Sequence, residues 1–313
     1  MTILLDGAMG TELEARGARM ELPLWSAHAL VEAPALVEEI HLDYLRAGAQ
    51  VISTNTFRTH ARSLAAGEMS DRAGELTRLA VALARRARDR FADEAPLEAA
   101  ASRIAGSISP LEDCYAPDRS PVRARALPEH QAMARDLAEG GCDLLLVETM
   151  GRIDEACAAV EAAAEQRLPI WLAVVCRPDG ALLGGESLAR LAAALDERVS
   201  ALLVNCTELR AMPRVTEALV SAAALRPALQ LGIYPHTGQG DPELGFRPRC
   251  VDSEGFSAAL VELAAAHPRL SILGSCCGSD PSWTRALALR LHRDREARAA
   301  ARRELVERVP RVR

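Results

Sequence analysis

The sequence predicts an α/β protein built as a single (β/α)8 barrel, the TIM-barrel architecture. Eight short apolar runs, rich in β-branched residues, alternate along the chain with helical patterns. Polar residues follow these runs, as they do at the end of a barrel where active sites form. The length of 313 residues also suits one barrel, because α/β barrels commonly exceed about 250 residues as a single domain.

Each apolar run is predicted to be a parallel strand, because the helical pattern after it can return the chain to the start of the next strand. The predicted strands are residues 2–6, 50–54, 102–108, 143–148, 170–175, 201–205, 229–234 and 270–274. The clearest helix candidates are residues 34–47, 70–91, 128–139, 152–166, 188–195, 211–225, 253–267 and 281–293. Long loops at residues 8–33 and 109–127 follow predicted strands and could form lids.

The domain organisation is expected to be simple, because no low-complexity linker divides the chain. Residues 1–313 should form one barrel domain with a C-terminal, arginine-rich helical extension at about 290–313. That extension carries nine arginines and four acidic residues at helical spacing. This pattern favours a solvated terminal helix over a binding tail.

Composition excludes several classes of function. The chain is 49% hydrophobic with a formal net charge of -6, a balance that disfavours nucleic-acid partners. It contains neither a membrane-length apolar run nor a signal-type N-terminus, so we expect a cytoplasmic protein without a membrane partner. All 37 basic residues are arginine, which excludes Schiff-base, PLP and Walker-type chemistry because each needs a lysine amine. The oligomeric state is not indicated.

The residues after the eight predicted strands should surround one end of the barrel. Most of them are polar or carry a thiol: Asp6 with Gly7, Asn55 with Thr56, Ser109, Glu148, Cys176, Cys206, His236, and Cys276 with Cys277. For Glu148, an apolar run that ends in a charge favours a functional role over a structural one. This end of the barrel is therefore the predicted active site.

Three cysteines from two strand ends could hold a zinc ion and leave one coordination position open, as catalytic zinc sites do. Cys276 and Cys277 are adjacent and flanked by glycines that permit a tight turn, and Cys206 ends another apolar run. A vicinal disulfide or redox pair is the competing interpretation. Taken alone, a cysteine is more often a small buried hydrophobe, so no role is assigned to Cys114, Cys142, Cys157 or Cys250, and Cys176 stays ambiguous.

Several motifs, in order along nearly the whole chain, resemble the homocysteine S-methyltransferase family of zinc-dependent barrels that methylate a thiol. The matching stretches are LLDGAMGTELEARG at 4–17, LWSAHAL at 24–30, HLDYLRAGAQVISTNTF at 41–57, GSISP at 106–110, DLLLVETM at 143–150, VNCTE at 204–208, YPHTG at 234–238 and GSCCGSDP at 274–281. The family's usual GGCCG is GSCCG here, with Ser275 in place of a glycine.

The resemblance implies a set of roles. Cys206, Cys276 and Cys277 would bind Zn²⁺, with the substrate thiol as the fourth ligand. Metal coordination deprotonates such a thiol and fixes its position. Further roles would concern substrate binding: Asp6 and Glu148 for the ammonium, the backbone N–H groups of Gly7 and Ala8 for the carboxylate, and Thr56 and Trp25 as further contacts. For Thr56 a role in stabilising the turn is an alternative.

The methyl donor is the least determined part. A betaine-type donor is disfavoured because only 3% of the residues are aromatic, and neither the length nor a corrinoid motif for cobalamin is present. A sulfonium donor is left, with S-methylmethionine favoured because LWSA at 24–27 resembles members that use it, and S-adenosylmethionine next. The product would be methionine. The alternatives are a methyltransferase for a related small thiol and a non-catalytic zinc or thiol sensor on the same barrel.

Overall fold

The computed structural model describes residues 2–241, 245–247 and 251–307. The strands are β1 Ile3–Leu4, β2 Val51–Ser53, β3 Arg103–Ile108, β4 Leu144–Met150, β5 Ile170–Val174, β6 Val199–Glu208, β7 Gln230–His236, β8 Gln239–Asp241, β9 Gly245–Arg247 and β10 Leu270–Leu273. Eight of them are parallel and form one sheet in the order β1-β10-β7-β6-β5-β4-β3-β2, and β8 and β9 form a separate antiparallel pair.

The sheet closes into a barrel. Strand β1 pairs with β10 at one edge, and a parallel bridge between Leu5 and Val51 joins β1 to β2 at the other. The predicted (β/α)8 barrel is confirmed, and each predicted strand corresponds to one of its eight strands. Among the described helices, none has both the length and the apolar character that crossing a lipid bilayer requires.

Helices surround the barrel, and the eight predicted ones are all present with shifted ends. They are α1 Met9–Ala15, α2 His28–Glu32, α3 Pro34–Arg46, α4 Ala61–Ala65, α5 Ala73–Glu94, α6 Pro96–Ala101, α7 Arg123–Gly140, α8 Ile153–Ala164, α9 Leu188–Ala194, α10 Met212–Ala222, α11 Ser253–Ala266 and α12 Pro281–Glu307. The sequence analysis missed α1, α2, α4, α6 and the β8–β9 hairpin. These short elements carry too few residues for a clear periodicity.

Two helix boundaries differ most from prediction. Helix α7 begins at Arg123 rather than at Pro128, which lies inside it. The prediction placed the proline in the first turn, where its missing N–H costs least. Helix α12 runs to Glu307, so the arginine-rich segment continues the last helix. Residues 308–313 of the predicted extension lie outside the described residues, as does Cys250.

Alternation along the strands positions the site. Side chains two residues apart on a strand point to the same face. In β4, Leu144 and Leu146 lie in the apolar cluster that fills the barrel, so Glu148 continues that inward row at the carboxyl end. Trp171 of β5 is almost fully buried in the same cluster. The barrel is therefore packed below and polar at one mouth.

Candidate metal centre and substrate cavity

A cavity of about 620 Å³ opens at the carboxyl ends of the strands. Its wall includes the following predicted site residues: Asp6, Gly7, Ala8, Trp25, Glu148, Cys206, Cys276 and Cys277. Of the residues given a metal or substrate role, Thr56 does not line it, and of the other strand-end candidates Asn55 lines it whereas Ser109, Cys176 and His236 do not. Residues from loops 8–33 and 109–127 form much of the remaining wall, so both loops lie where the sequence analysis placed possible lids.

The backbone around the cysteines is arranged to bring the sulfur atoms together. Cys206 has a left-handed φ of 46°, a conformation that side chains with a Cβ seldom adopt and that is concentrated at functional sites. The N–H of Cys276 donates to the carbonyl of Pro235 at 2.9 Å. Two residues earlier the chain passes close to Leu5 and requires glycine, because a Cβ at Gly274 would lie 2.6 Å from Cβ of Leu5. The segment before Cys276 is thus held against the barrel.

The three sulfur atoms form one cluster. The Sγ atom of Cys277 lies 3.9 Å from those of Cys206 and Cys276, and all three lie within 4.8 Å of one another. Zinc–sulfur bonds of about 2.3 Å at tetrahedral angles place sulfur atoms about 3.8 Å apart, so these two spacings suit zinc. Cys206 and Cys276 form a disulfide in the structure; binding an ion requires this pair to be reduced and to separate.

The chemistry of the cluster also calls for a cation. Burial raises the pKa of Cys277 to about 11, so its thiol is protonated near pH 7 unless a positive charge stabilises the thiolate. A coordinated metal ion supplies such a charge and deprotonates a thiol outright. Among the described residues, no other group of three or more His, Cys, Asp or Glu side chains meets the spacing of a metal site.

Two carboxylates, the buried Asp6 and the partly buried Glu148, line the same cavity. Ser53 donates to Asp6 through its N–H at 2.6 Å and its hydroxyl at 3.1 Å. Glu148 accepts from the hydroxyls of Ser107 at 2.5 Å and Tyr234 at 3.0 Å. These donors fix the orientation of both carboxylates.

The electrostatics of this pair favours a cationic ligand. Burial raises the pKa of Asp6 to about 8, with a further contribution from the charge of Glu148, against the opposing hydrogen bonds from Ser53. Burial also raises the pKa of Glu148, and its hydrogen bonds from Ser107 and Tyr234 oppose that shift. Near pH 7 the Asp6 carboxyl is therefore mostly protonated in the free protein. An ammonium group facing both side chains would favour its ionisation and then pair with two carboxylates.

The backbone next to Asp6 is closely packed. A Cβ at Gly7 would lie 2.6 Å from Oγ of Ser279, so glycine is needed there. The N–H of Ala8 donates to the same Oγ at 3.1 Å, and Tyr44 donates to the Ala8 carbonyl at 3.1 Å. The predicted carboxylate contact through Ala8 would therefore have to replace an existing hydrogen bond.

The side chain of Thr56 does not lie where a substrate contact was predicted. Its side chain is fully buried, and its hydroxyl donates to the carbonyl of Ser107 at 2.7 Å and lies 2.8 Å from that of Thr54. This geometry is that of the turn-stabilising alternative, and Thr56 is absent from the cavity wall where a substrate contact would lie.

Trp25 does line the cavity. Its ring packs edge-on against Phe57 with the centroids 6.1 Å apart. A side chain at Gly10 would overlap the Trp25 ring, so a residue without a Cβ is required beneath it. Together the two rings form an aromatic wall carried by loops rather than by strands.

Asn205, which the sequence analysis did not single out, connects two segments of the site. It is fully buried, and its side chain donates to Oγ1 of Thr149 at 2.8 Å and accepts from the Thr149 N–H at 3.2 Å. Thr149 also has a left-handed φ, of 63°. Asn205 thus ties the residue after Glu148 to the residue before Cys206. The available signal was a polar residue at the end of an otherwise apolar strand.

The remaining cysteines differ in position. Cys114, to which no role was assigned, lines the cavity, and burial raises its pKa to about 12. Cys176 is buried and its N–H donates to Thr207 at 2.9 Å. Cys142 is buried in the apolar core. Cys157 belongs to α8, is partly buried and packs against the edge of that core. These three are absent from the cavity wall.

Comparison with known proteins relates these features to a family. The model for the family described as homocysteine S-methyltransferase matches residues 3–291. Homocysteine S-methyltransferase of Escherichia coli (strain K12) is 34% identical over 304 residues, 92% of this chain and 94% of that protein. Homocysteine S-methyltransferase YbgG of Bacillus subtilis (strain 168) is 33% identical, covering 91% and 95%. Selenocysteine Se-methyltransferase of Brassica oleracea var. italica is 29% identical, covering 92% and 88%.

Solved structures give the same relationship. The metallated form of the homocysteine methyltransferase MmuM from Escherichia coli superposes with a TM-score of 0.79 at 33% identity. This match covers 92% of the present chain and 96% of that one. The oxidized form of the same enzyme gives a TM-score of 0.80.

Proposed function

The chain belongs to the homocysteine S-methyltransferase family, and on this basis we propose that it transfers a methyl group from a sulfonium donor to the thiol of homocysteine, giving methionine. S-methylmethionine is the favoured donor and S-adenosylmethionine the next. The single observation that carries this proposal is the placement of three cysteine sulfurs and the carboxylates of Asp6 and Glu148 around one cavity.

Cys206, Cys276 and Cys277 would hold Zn²⁺. When bound, the metal would coordinate the acceptor thiol, lower its pKa and keep it at a fixed position. The spacing of 3.9 Å between Cys277 and each of the other two sulfurs supports this choice. Cysteines that must stay reduced also support a cytoplasmic location.

Asp6 and Glu148 would bind the ammonium of homocysteine. Ser53, Ser107 and Tyr234 already occupy part of the hydrogen-bonding capacity of these carboxylates, so the side chains are oriented before substrate arrives. Such orientation fixes the amino acid end and directs its side chain, which favours reaction by proximity. Neither carboxylate is needed as a general base.

The reaction itself is a displacement between two sulfur atoms. A bond forms between the acceptor sulfur and the methyl carbon while the donor's carbon–sulfur bond breaks, and its electron pair stays on the donor sulfur. A sulfonium donor thereby becomes a neutral thioether, and the proton of the acceptor thiol has already passed to solvent. The aromatic pair Trp25 and Phe57 supports a cationic donor, because aromatic faces attract cations.

The acceptor could also be a related amino acid. Two relatives at 29% identity are named for methylation of selenocysteine, and their resemblance over more than nine-tenths of this chain favours this second candidate. Asp6 and Glu148 would bind selenocysteine in the same way as homocysteine, because they would contact only the ammonium group and not the selenol or thiol.

The test is an assay of purified, reduced and zinc-loaded protein with homocysteine and, in turn, S-methylmethionine, S-adenosylmethionine, betaine and methyltetrahydrofolate. We expect methionine from a sulfonium donor and loss of transfer after zinc removal, restored by adding zinc back. Absence of transfer from every donor to homocysteine and to selenocysteine would contradict the proposal.

A further inference from the structure

We infer that Arg58 binds a carboxylate of the methyl donor, so that this enzyme selects sulfonium donors that carry a carboxylate. The inference rests on the proposed function. Arg58 follows β2 in the loop that also carries Phe57, and it lines the same cavity as the three cysteines. The sequence analysis assigned no role to Arg58.

The guanidinium of Arg58 has no hydrogen-bond acceptor among the residues that the structure describes. Its Nε atom is buried without a hydrogen-bond partner, and within the described residues no carboxylate lies within ion-pairing distance of it. No other arginine of the described residues has a buried nitrogen atom in this state. A buried donor left without a partner is costly, and a charged one more so. Such a group is explained when a ligand supplies the acceptor.

The neighbours of Arg58 do not supply the missing negative charge. Cys114 is close enough for the charge of Arg58 to act on its pKa, but burial keeps that pKa at about 12, so this thiol is neutral near pH 7. Phe57 lies under the guanidinium, with Cζ of Arg58 5.7 Å from the ring centroid. Stacking of this kind orients the planar group and leaves its N–H edges free for a carboxylate.

Arg62, which also lines the cavity, shows the contrast. It donates to Glu129 through Nε at 3.0 Å and to Glu112 through Nη1 at 3.0 Å. Its guanidinium is therefore used to connect α4 with the loop after β3 and with α7. Arg58 is the partly buried arginine of this wall that remains available to a ligand.

The position of Arg58 points to the donor rather than the acceptor. Asp6 and Glu148 fill the role of binding the acceptor's amino acid end, and Arg58 lies instead beside the aromatic pair proposed to contact the sulfonium. A lone guanidinium here would repel a cationic donor. A carboxylate on the donor removes that repulsion and forms a bidentate, charge-assisted contact. The ligand class is a sulfonium compound with a carboxylate.

The experiment compares two donors, S-methylmethionine and its carboxamide, with the wild type, Arg58→Gln and Arg119→Gln. Arg119 is a matched control, because it lines the cavity but is exposed. We expect Arg58→Gln to lower kcat/KM for S-methylmethionine by about 10- to 100-fold and to change the value for the carboxamide by less than about 3-fold. Arg58→Lys should recover part of the loss, the KM for homocysteine should stay unchanged, and Arg119→Gln should have little effect.

Three outcomes would overturn the inference: an equal loss with both donors, no loss with S-methylmethionine, or an equal donor-specific loss in Arg119→Gln. If the wild type transfers no methyl group from any donor, the proposed function fails separately. Calorimetric binding of S-methylmethionine to zinc-loaded protein then decides the inference. A weaker affinity of Arg58→Gln than of the wild type for S-methylmethionine would support the inference. Equal affinities of the two proteins, or no binding by either, would overturn it.

Discussion

The two walls of the cavity are built differently. Strand ends carry Asp6, Glu148 and Cys206, each continuing an apolar strand of the barrel. Loops carry a second group of lining residues, which includes Trp25 and Arg58; the two groups are called the strand wall and the loop wall. The strand wall is fixed by the barrel's hydrogen-bonded ladder, whereas the loop wall depends on side chains that join one loop to another.

Two such connections hold the loop wall. Arg62, in α4, joins the segment after β2 to Glu112 and Glu129. Glu155, buried on α8, accepts from the N–H of Leu111 at 2.9 Å and from the hydroxyl of Ser120. From this difference we expect the two walls to have separate functions: the strand wall binds the metal and the acceptor, and the loop wall selects the donor. Loops on a rigid scaffold commonly set specificity in this way.

The largest effect is expected from Cys206→Ala in the strand wall. Removing one of three sulfur ligands should abolish stoichiometric zinc and reduce methyl transfer by more than about 10³-fold, because an open two-sulfur site holds zinc weakly. Metal analysis of the purified, reduced protein measures the first effect. Cys157→Ala is the control, since this cysteine lies on α8 away from the cavity. Full activity of Cys206→Ala would rule out the assigned metal centre.

A smaller loss is expected for Glu148→Gln. The amide keeps the size of the side chain, and its one oxygen can still accept from Ser107 or Tyr234 while its NH2 group donates to the other hydroxyl. It lacks the charge that binds an ammonium. We expect kcat/KM for homocysteine to fall about 10²- to 10³-fold while zinc content stays at wild-type level. A change below about 3-fold would show that the ammonium binds elsewhere.

Asp6→Asn should change stability and activity in opposite directions. Burial raises the pKa of Asp6 to about 8, so between about pH 4 and pH 8 the folded protein retains a proton that the unfolded chain releases. The stability that this carboxyl contributes is present at low pH and lost as pH rises through 8. Asparagine has no such proton to lose.

Urea unfolding of the metal-free protein measures this effect. The free energy of unfolding of Asp6→Asn, relative to that of the wild type, should rise by about 1 to 4 kcal/mol as the pH increases from 5 to 8. Its kcat/KM for homocysteine should fall at the same time. A stability difference that does not change with pH would mean that Asp6 is already ionised in the folded protein.

The smallest effect is expected in the loop wall, from Trp25→Ala. Loss of the ring next to Phe57 removes an aromatic contact from the donor side, and we expect the KM for the sulfonium donor to rise about 5- to 10-fold. The KM for homocysteine should not change, because the strand wall is intact. If both KM values rise together, the two walls are not independent and the expected separation of their functions is wrong.

The sequence was informative about the strand wall for a physical reason. An apolar run in a barrel identifies its strand, and the residue that ends the run lies at the mouth, so Glu148 and Cys206 could be placed from local pattern alone. The metal ligands also come from two short segments. Their positions thus require little knowledge of distant contacts.

The loop wall was not predictable in the same way. The direction of Thr56 depends on the carbonyl of Ser107, some fifty residues away, and Glu112 of the cavity wall pairs with Arg62 rather than with Arg58. Cys114 was set aside as a single cysteine, and only the folded loop after β3 brings it to the cavity. Such contacts carry no local sequence signal.

The most direct test of the metal centre is zinc X-ray absorption of the reduced, zinc-loaded protein before and after saturation with homocysteine. We expect three sulfur ligands and one lighter ligand in the free protein, changing to four sulfur ligands at about 2.3 Å when homocysteine is bound. An unchanged sulfur count, with homocysteine binding verified independently, would contradict coordination of the acceptor thiol at this centre.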